Sequence, residues 1–208
     1  MQLRIARFLA QTRVEGPGER ACIWVQGCPI RCAGCAVPWT WPEDGGQAIS
    51  VEDLARRVLD GPPVEGVTFA GGEPFAQAGP LAQLAALLRA EGLSVLTYSG
   101  YTLETLRRGA RADWNALLSA TDLLVDGPFL AARTGGAAGL AGSSNQRLHF
   151  LTPRYAHLRE ELQFDPQRIE VRLGADGEIL VNGVVSPDAL EAMLDGLACV
   201  EPSSRGRR

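Results

Sequence analysis

Arg20-Ala21-Cys22-Ile23-Trp24-Val25-Gln26-Gly27, followed at once by Cys28-Pro29-Ile30-Arg31-Cys32-Ala33-Gly34-Cys35, decides how the chain is read. The first stretch is rich in strand formers and stops at a glycine, which predicts a buried strand. The second carries three cysteines separated by three and two residues, so one loop after that strand presents three thiols. Thiolates are the ligands that iron–sulfur clusters require, and short spacings let a single loop wrap a compact cluster. Three is the informative number, because a structural zinc site or a ferredoxin-type cluster needs a fourth protein ligand. Cys22 lies inside the strand, Cys199 near the chain end, and His149 and His157 far downstream. A zinc site completed by His149, His157 or Cys199 is the alternative. Without a fourth ligand, a four-iron cluster keeps one iron open for a substrate or cofactor. Cys22, between apolar neighbours, reads as a small core residue.

Outward from this loop the chain alternates strands with helical segments. Ser50 with Asp53 is a capping pattern for a helix whose apolar face is Val51, Leu54, Val58 and Leu59. Gly66–Ala70 is a short strand stopped by Gly71-Gly72; Pro80 opens a helix that Gly92 ends, and Ser94–Tyr98 is the third strand. Thr102 caps a short helix, another covers Ala112–Ser119, and strands follow at Leu123–Asp126 and Arg147–Leu151. The small-residue stretch Ala131–Ser144 reads as a mobile loop. Such βα alternation predicts an α/β fold with a mainly parallel sheet, whose ligands bind at the carboxyl ends of the strands. The pattern then breaks: Ile169–Leu173 and Glu178–Val181 flank Gly174-Ala175-Asp176-Gly177 as a β-hairpin, a helix is expected over Pro187–Leu197, and the tail from Pro202 reads as disordered. Residues 1–152 are expected to form the principal domain, and 153–208 an extension packed on it.

Composition narrows the chemistry. The chain has 208 residues, 46% hydrophobic and 21% charged, which is globular, and its net charge of −4 offers no pull toward nucleic acid or an anionic membrane. All 20 basic residues are arginine. With no lysine there is no Schiff base, no pyridoxal-phosphate anchor and no Walker-loop amine. No stretch is apolar for the ~18 residues a membrane helix needs, and the start lacks a signal-peptide h-region. An odd, clustered cysteine set then reads as reduced thiols in the cytoplasm.

The cysteine spacing resembles the signature of the radical S-adenosylmethionine (SAM) superfamily, and four further segments narrow the resemblance. Gly71-Gly72-Glu73-Pro74 is similar to that superfamily's GGEP motif. Tyr98–Glu104, Val125–Phe129 and Gly142–Arg147 resemble segments of the activating proteins of anaerobic ribonucleoside-triphosphate reductase. The similarity spans about Glu15 to Thr152. The resemblance implies a partial (β/α) barrel, a [4Fe-4S] cluster on Cys28, Cys32 and Cys35, and SAM chelated at the open iron. It also implies cofactor contacts from Gly71, Gly72, Glu73, Pro74, Ser99 and Asp126: bare glycine backbone near the methionyl end, Glu73 accepting from its ammonium, Ser99 and Asp126 toward the adenosine or a cation. Trp39 and Trp41 would shield the cluster from water. No catalytic side chain is expected beyond cluster and SAM.

The reaction implied by the resemblance is reductive cleavage of SAM to a 5′-deoxyadenosyl radical, which abstracts hydrogen from a glycine of a large partner enzyme. The electron would come from a donor such as flavodoxin or ferredoxin. Two features depart from the family: Ala36-Val37-Pro38 stands where an Asn-Pro pair is common, and the chain continues well beyond Leu151. Two other readings therefore stand: a radical SAM enzyme acting on another peptide or a small molecule, and a non-catalytic iron–sulfur or zinc-binding protein. The hydrogen donor, electron source, oligomeric state and role of the extension are not legible in the residues.

Overall fold

The structure, a computed structural model, describes residues 1–134, 139–164, 168–174, 177, 179–184 and 191–193. A long first strand, β1 (Gln2–Thr12), pairs antiparallel with β2 (Arg20–Val25) and with the short edge strand β3 (Gln47–Ser50). Helix α1 (Val51–Leu59) leads to β4 (Gly66–Gly71), α2 (Ala78–Ala90) to β5 (Ser94–Ser99), and α3 (Leu103–Arg108) with α4 (Ala112–Ala120) to β6 (Leu123–Asp126). The seven-stranded sheet closes with β7 (Arg147–Phe150), in the order β3-β1-β2-β4-β5-β6-β7.

The centre β2-β4-β5-β6 is parallel throughout, as the βα alternation predicts. The flanks differ from expectation. β7 runs antiparallel to β6, because the connection between them carries no crossover helix that would return the chain in the same sense. β1 and β3 are additions that the alternation does not contain. β1 hides its period because a bulge between Ile5 and Arg7 shifts which residues face the helices.

One face of the sheet is covered by α1, α2 and α4, whose Leu54, Val58, Leu81, Leu84, Leu88 and Leu117 pack on Ile23, Phe69 and Val95. Ser50 caps α1 as its spacing predicts, its hydroxyl accepting from Asp53 N at 3.0 Å. The opposite face has a different cover. Leu140, Tyr155 and Leu162 lie on its β5-β6 side. The hairpin of α5 (Arg159–Phe164), β8 (Ile169–Leu173) and β9 (Ile179–Gly183) begins from there, and Leu180 reaches Cys22, Trp24 and Tyr98. Cys22 is fully buried and packed among apolar side chains, as its context predicts. Arg20, wholly buried beneath this cover, is satisfied by Thr68, Ser94, Val67 O, Pro17 O and the Tyr155 hydroxyl, which in turn donates to Glu65 at 2.6 Å.

The hairpin docks polar face inward. Glu170 pairs with Asn182 and Arg172 with Leu180 across the strands, so these four share one side. Asn182 donates to Thr12 Oγ1 at 2.9 Å, Thr12 donates to Glu170 at 2.6 Å, and Gly183 N donates to the buried Glu15 carboxylate at 2.8 Å. Burial pushes Glu15 above its ordinary pKa. The expected strand start at Glu178 and the helix over 187–197 lie outside the described residues, apart from a helical turn at 191–193. Of the stretch read as mobile, 131–133 forms a 3-10 turn while Leu140, Ala141 and Ser143 are buried, so its second half is anchored and not free. No described helix is long and apolar enough to cross a membrane.

Because Asn182 donates to the buried Thr12 and also hydrogen-bonds the buried Glu15 carboxylate, Asn182→Ala should cost about 1–3 kcal/mol and release the hairpin locally. Hydrogen exchange is expected to speed up at least tenfold in β8 and β9 with β2, β4 and β5 unchanged; uniform loosening would show that the hairpin is part of the global core.

Candidate active site at the carboxyl ends of the parallel strands

The cysteine loop leaves β2 through Gly27, whose φ of 93° lies in the left-handed region that glycine adopts without penalty. The loop is pinned on both sides. Gly27 N donates to Thr40 O at 2.8 Å and Cys28 N to Trp41 O at 3.1 Å, which folds Pro38–Trp41 back over the cysteines. From the other side, Gly72 N donates to Val25 O and Glu73 N to Gly27 O, both at 2.9 Å. This pairing explains the two glycines directly. A Cβ on Gly72 would lie 2.2 Å from Gly27 O, and one on Gly71 2.7 Å from the Trp24 backbone. The close approach they permit is therefore first that of β4 to the root of the cysteine loop.

Cys28, Cys32 and Cys35 line one cavity of ≈ 120 Å³ over the strand ends, together with Gly71, Gly72, Glu73 and Ser99. Seven of the nine residues singled out from sequence are thus brought together. Pro74 and Asp126 are not among the lining residues. Pro74 starts the 3-10 turn after β4. Asp126 is buried and engaged elsewhere: it accepts from Leu103 N and from Arg147, with His149 Nε2 3.0 Å away. Against the burial that would raise it, Arg147 and the Leu103 amide hold its carboxyl below the usual range. Its geometry is that of a tie between β6, β7 and α3. Trp41, Tyr98, Phe129 and Gln146 also line the cavity. The last three fall within the segments Tyr98–Glu104, Val125–Phe129 and Gly142–Arg147, so the signal was present but no chemistry singled these side chains out.

Glu73 is fully enclosed. It accepts from Phe75 N at 2.9 Å, Ser99 Oγ at 3.0 Å and Gly100 N at 2.8 Å, joining the end of β4 to the end of β5. Burial pushes its carboxyl up to about 7, and these three donors restrain the rise. Burial also raises the Cys32 thiol, with a backbone hydrogen bond from Phe129 opposing. Among the described residues, no group of three His, Cys, Asp or Glu side chains is gathered as for a single metal ion. Three thiols facing one cavity suit a multi-iron cluster, whose size separates its ligands further than one ion does.

The 4Fe-4S single cluster domain family matches residues 14–149, a span holding the whole site. The chain belongs to this family. It is 30% identical over 147 residues to the anaerobic ribonucleoside-triphosphate reductase-activating protein of Vibrio cholerae, covering 67% of this chain and 92% of that one. The Escherichia coli K12 protein of the same name is 30% identical over 146 residues, covering 66% and 92%. The pyruvate formate-lyase-activating enzyme of Clostridium pasteurianum is 31% identical over 128 residues, covering 59% of this chain; the chain spans only half of that relative's length. The resemblance read from the motifs and these relatives agree.

A carboxyl raised to about 7 in the fold, against 4.5 unfolded, contributes stability that is complete below pH 4.5 and lost as pH rises through about 7. The urea stability of the cluster-free protein, taken relative to Glu73→Gln, should therefore fall by on the order of 2–3 kcal/mol between pH 4.5 and 8. A pH-independent difference would mean that Glu73 titrates normally.

Proposed function

We propose that the protein is a radical SAM enzyme that generates a glycyl radical on a large partner enzyme of the anaerobic ribonucleotide reductase kind. The observation that carries this reading is the cavity itself: three thiols, two bare glycines and one enclosed carboxylate meet over the parallel strand ends. When bound there, a [4Fe-4S] cluster with one iron free of protein would supply the electron that splits SAM into methionine and a 5′-deoxyadenosyl radical. Cys28, Cys32 and Cys35 would hold it, and the donor set fits: soft thiolates from one loop, with no fourth cysteine and no histidine among the described residues that line the cavity.

The chain's own residues do the rest. The amide-bonded glycines Gly71 and Gly72 present backbone without side chains, so a ligand's amino-acid end can lie close. Burial pushes Glu73 up to about 7, and a ligand ammonium beside it would favour the ionised carboxylate and form a charge-assisted pair with it. Ser99 is oriented by its own bonds to Glu73 and Tyr101 N, which fixes the β5 end of the cavity. Arg7 lies over both Trp24 and Trp39, at 5.5 and 5.9 Å from their ring centroids, a cation–π stack that holds the two rings together. Flavodoxin or ferredoxin fits as electron source, and a reducing cytoplasm as location.

The anaerobically reconstituted protein with reductant and SAM should release 5′-deoxyadenosine, and each of Cys28→Ala, Cys32→Ala and Cys35→Ala should reduce that release at least a hundredfold without unfolding the protein. With the partner added, a glycyl-radical doublet is expected by electron paramagnetic resonance. SAM cleavage without that doublet would favour another peptide or a small molecule as hydrogen donor; no cleavage at all would leave an electron carrier or a zinc-binding protein.

A further inference from the structure

Trp41 carries a donor without an acceptor. Its Nε1 is buried, yet it meets no hydrogen-bond partner among the described residues. An indole N–H can only donate, and leaving such a donor buried and unpaired costs about 1–3 kcal/mol. Folds tolerate that cost where a ligand completes the bond. Trp41 is moreover not loosely placed. Its carbonyl accepts from Cys28 N, its own backbone N–H donates to Pro38 O at 3.1 Å, and the residue lines the cavity shared by the three thiols. The backbone that carries the indole is therefore tied to the loop that bears Cys28.

Tyr98 supplies the contrast. Its hydroxyl is also buried and unpaired and its ring lines the same cavity, but the groups acting on that hydroxyl are Glu15, Cys22 and Arg20, which lie beneath in the sheet's covered face. Trp39 differs in another way, since it is 46% exposed and stacks with Arg7. Of the two tryptophans that follow the cysteines, only Trp41 both lines the cavity and carries a buried donor without a partner among the described residues.

We propose that Trp41 is a positioning residue for the cluster's charge: its Nε1–H donates to a sulfur of the [4Fe-4S] cluster, a sulfide or a ligand thiolate, and raises the reduction potential. This rests on the reading that the three cysteines hold that cluster. The physics is that of an oriented dipole. The reduced cluster carries one more negative charge than the oxidised one, so a fixed N–H pointing at sulfur stabilises the reduced form more. Its effect adds to exclusion of water by the ring, and the two separate on replacement by phenylalanine, which keeps an apolar ring and removes the donor.

The test is a redox titration of the reconstituted holoprotein without SAM, followed by electron paramagnetic resonance. Trp41→Phe should keep its iron and sulfide content and its thermal midpoint, and should shift the one-electron equilibrium about tenfold toward the oxidised cluster, ~59 mV to lower potential. Trp39→Phe should not move it. In the wild-type protein labelled with 15N-indole tryptophan, electron–nuclear double resonance on the reduced cluster should show a 15N coupling that Trp41→Phe abolishes. An unchanged potential with no coupling overturns the proposal, as does a variant whose potential is unmoved while SAM binding weakens, which would place the N–H on SAM instead. A wild-type protein that takes up no four-iron cluster overturns the underlying reading as well, and that failure is seen in the iron content before any titration.

Discussion

The side-chain-free seam between β2 and β4 is the constraint on which the site depends. At its carboxyl end Gly27, Gly71 and Gly72 let two backbones approach until Gly72 N and Glu73 N bond to Val25 O and Gly27 O. Even one methyl group at Gly72 would collide with Gly27 O, and such overpacking against backbone is not relieved by a rotamer change. The cysteine loop starts at that point of contact. Its root over the strand ends is therefore set by the sheet, and Thr40 O and Trp41 O complete its frame from the far side.

Glu73 extends the same frame to β5. A buried carboxylate is costly alone, yet here three donors from two elements converge on it, so one side chain fixes the relative height of the β4 and β5 ends. Asp126 does the corresponding work between β6, β7 and α3. The ends of β2, β4 and β5 are thus linked by a glycine contact and one carboxylate tie, and those of β6 and β7 by another. The lower half of the covered face is closed differently, by Arg20 with Tyr155 and by the inward polar side of the hairpin. Rigid strand ends are what the proposed radical chemistry would require.

Much of this was legible in the residues, and the reasons for the exceptions are physical. The βα units between Arg20 and Asp126 carry their own periods, caps and glycine stops, so their order and strand ends could be read directly. β1 could not, because a bulge breaks its alternation; the direction of β7 could not, because it depends on a connection without helical pattern. Cys28, Cys32 and Cys35 announced themselves by ligand chemistry, and Gly71, Gly72, Glu73 and Ser99 by motif. Asp126 carried the same kind of motif signal but is turned to Arg147, since a carboxylate at a strand end answers to whichever cation folds nearest. Trp41 was visible only as a shielding ring: the orphaned N–H is a property of three-dimensional packing that no spacing encodes.

A three-thiol cluster with one iron left to the cofactor is tested most directly by Mössbauer spectroscopy of the 57Fe-reconstituted protein, recorded before and after SAM is added. One iron in four should change its isomer shift toward higher coordination on SAM binding while the other three stay as they were. Four irons that remain alike with SAM present would contradict that arrangement and point to a cluster fully ligated by protein.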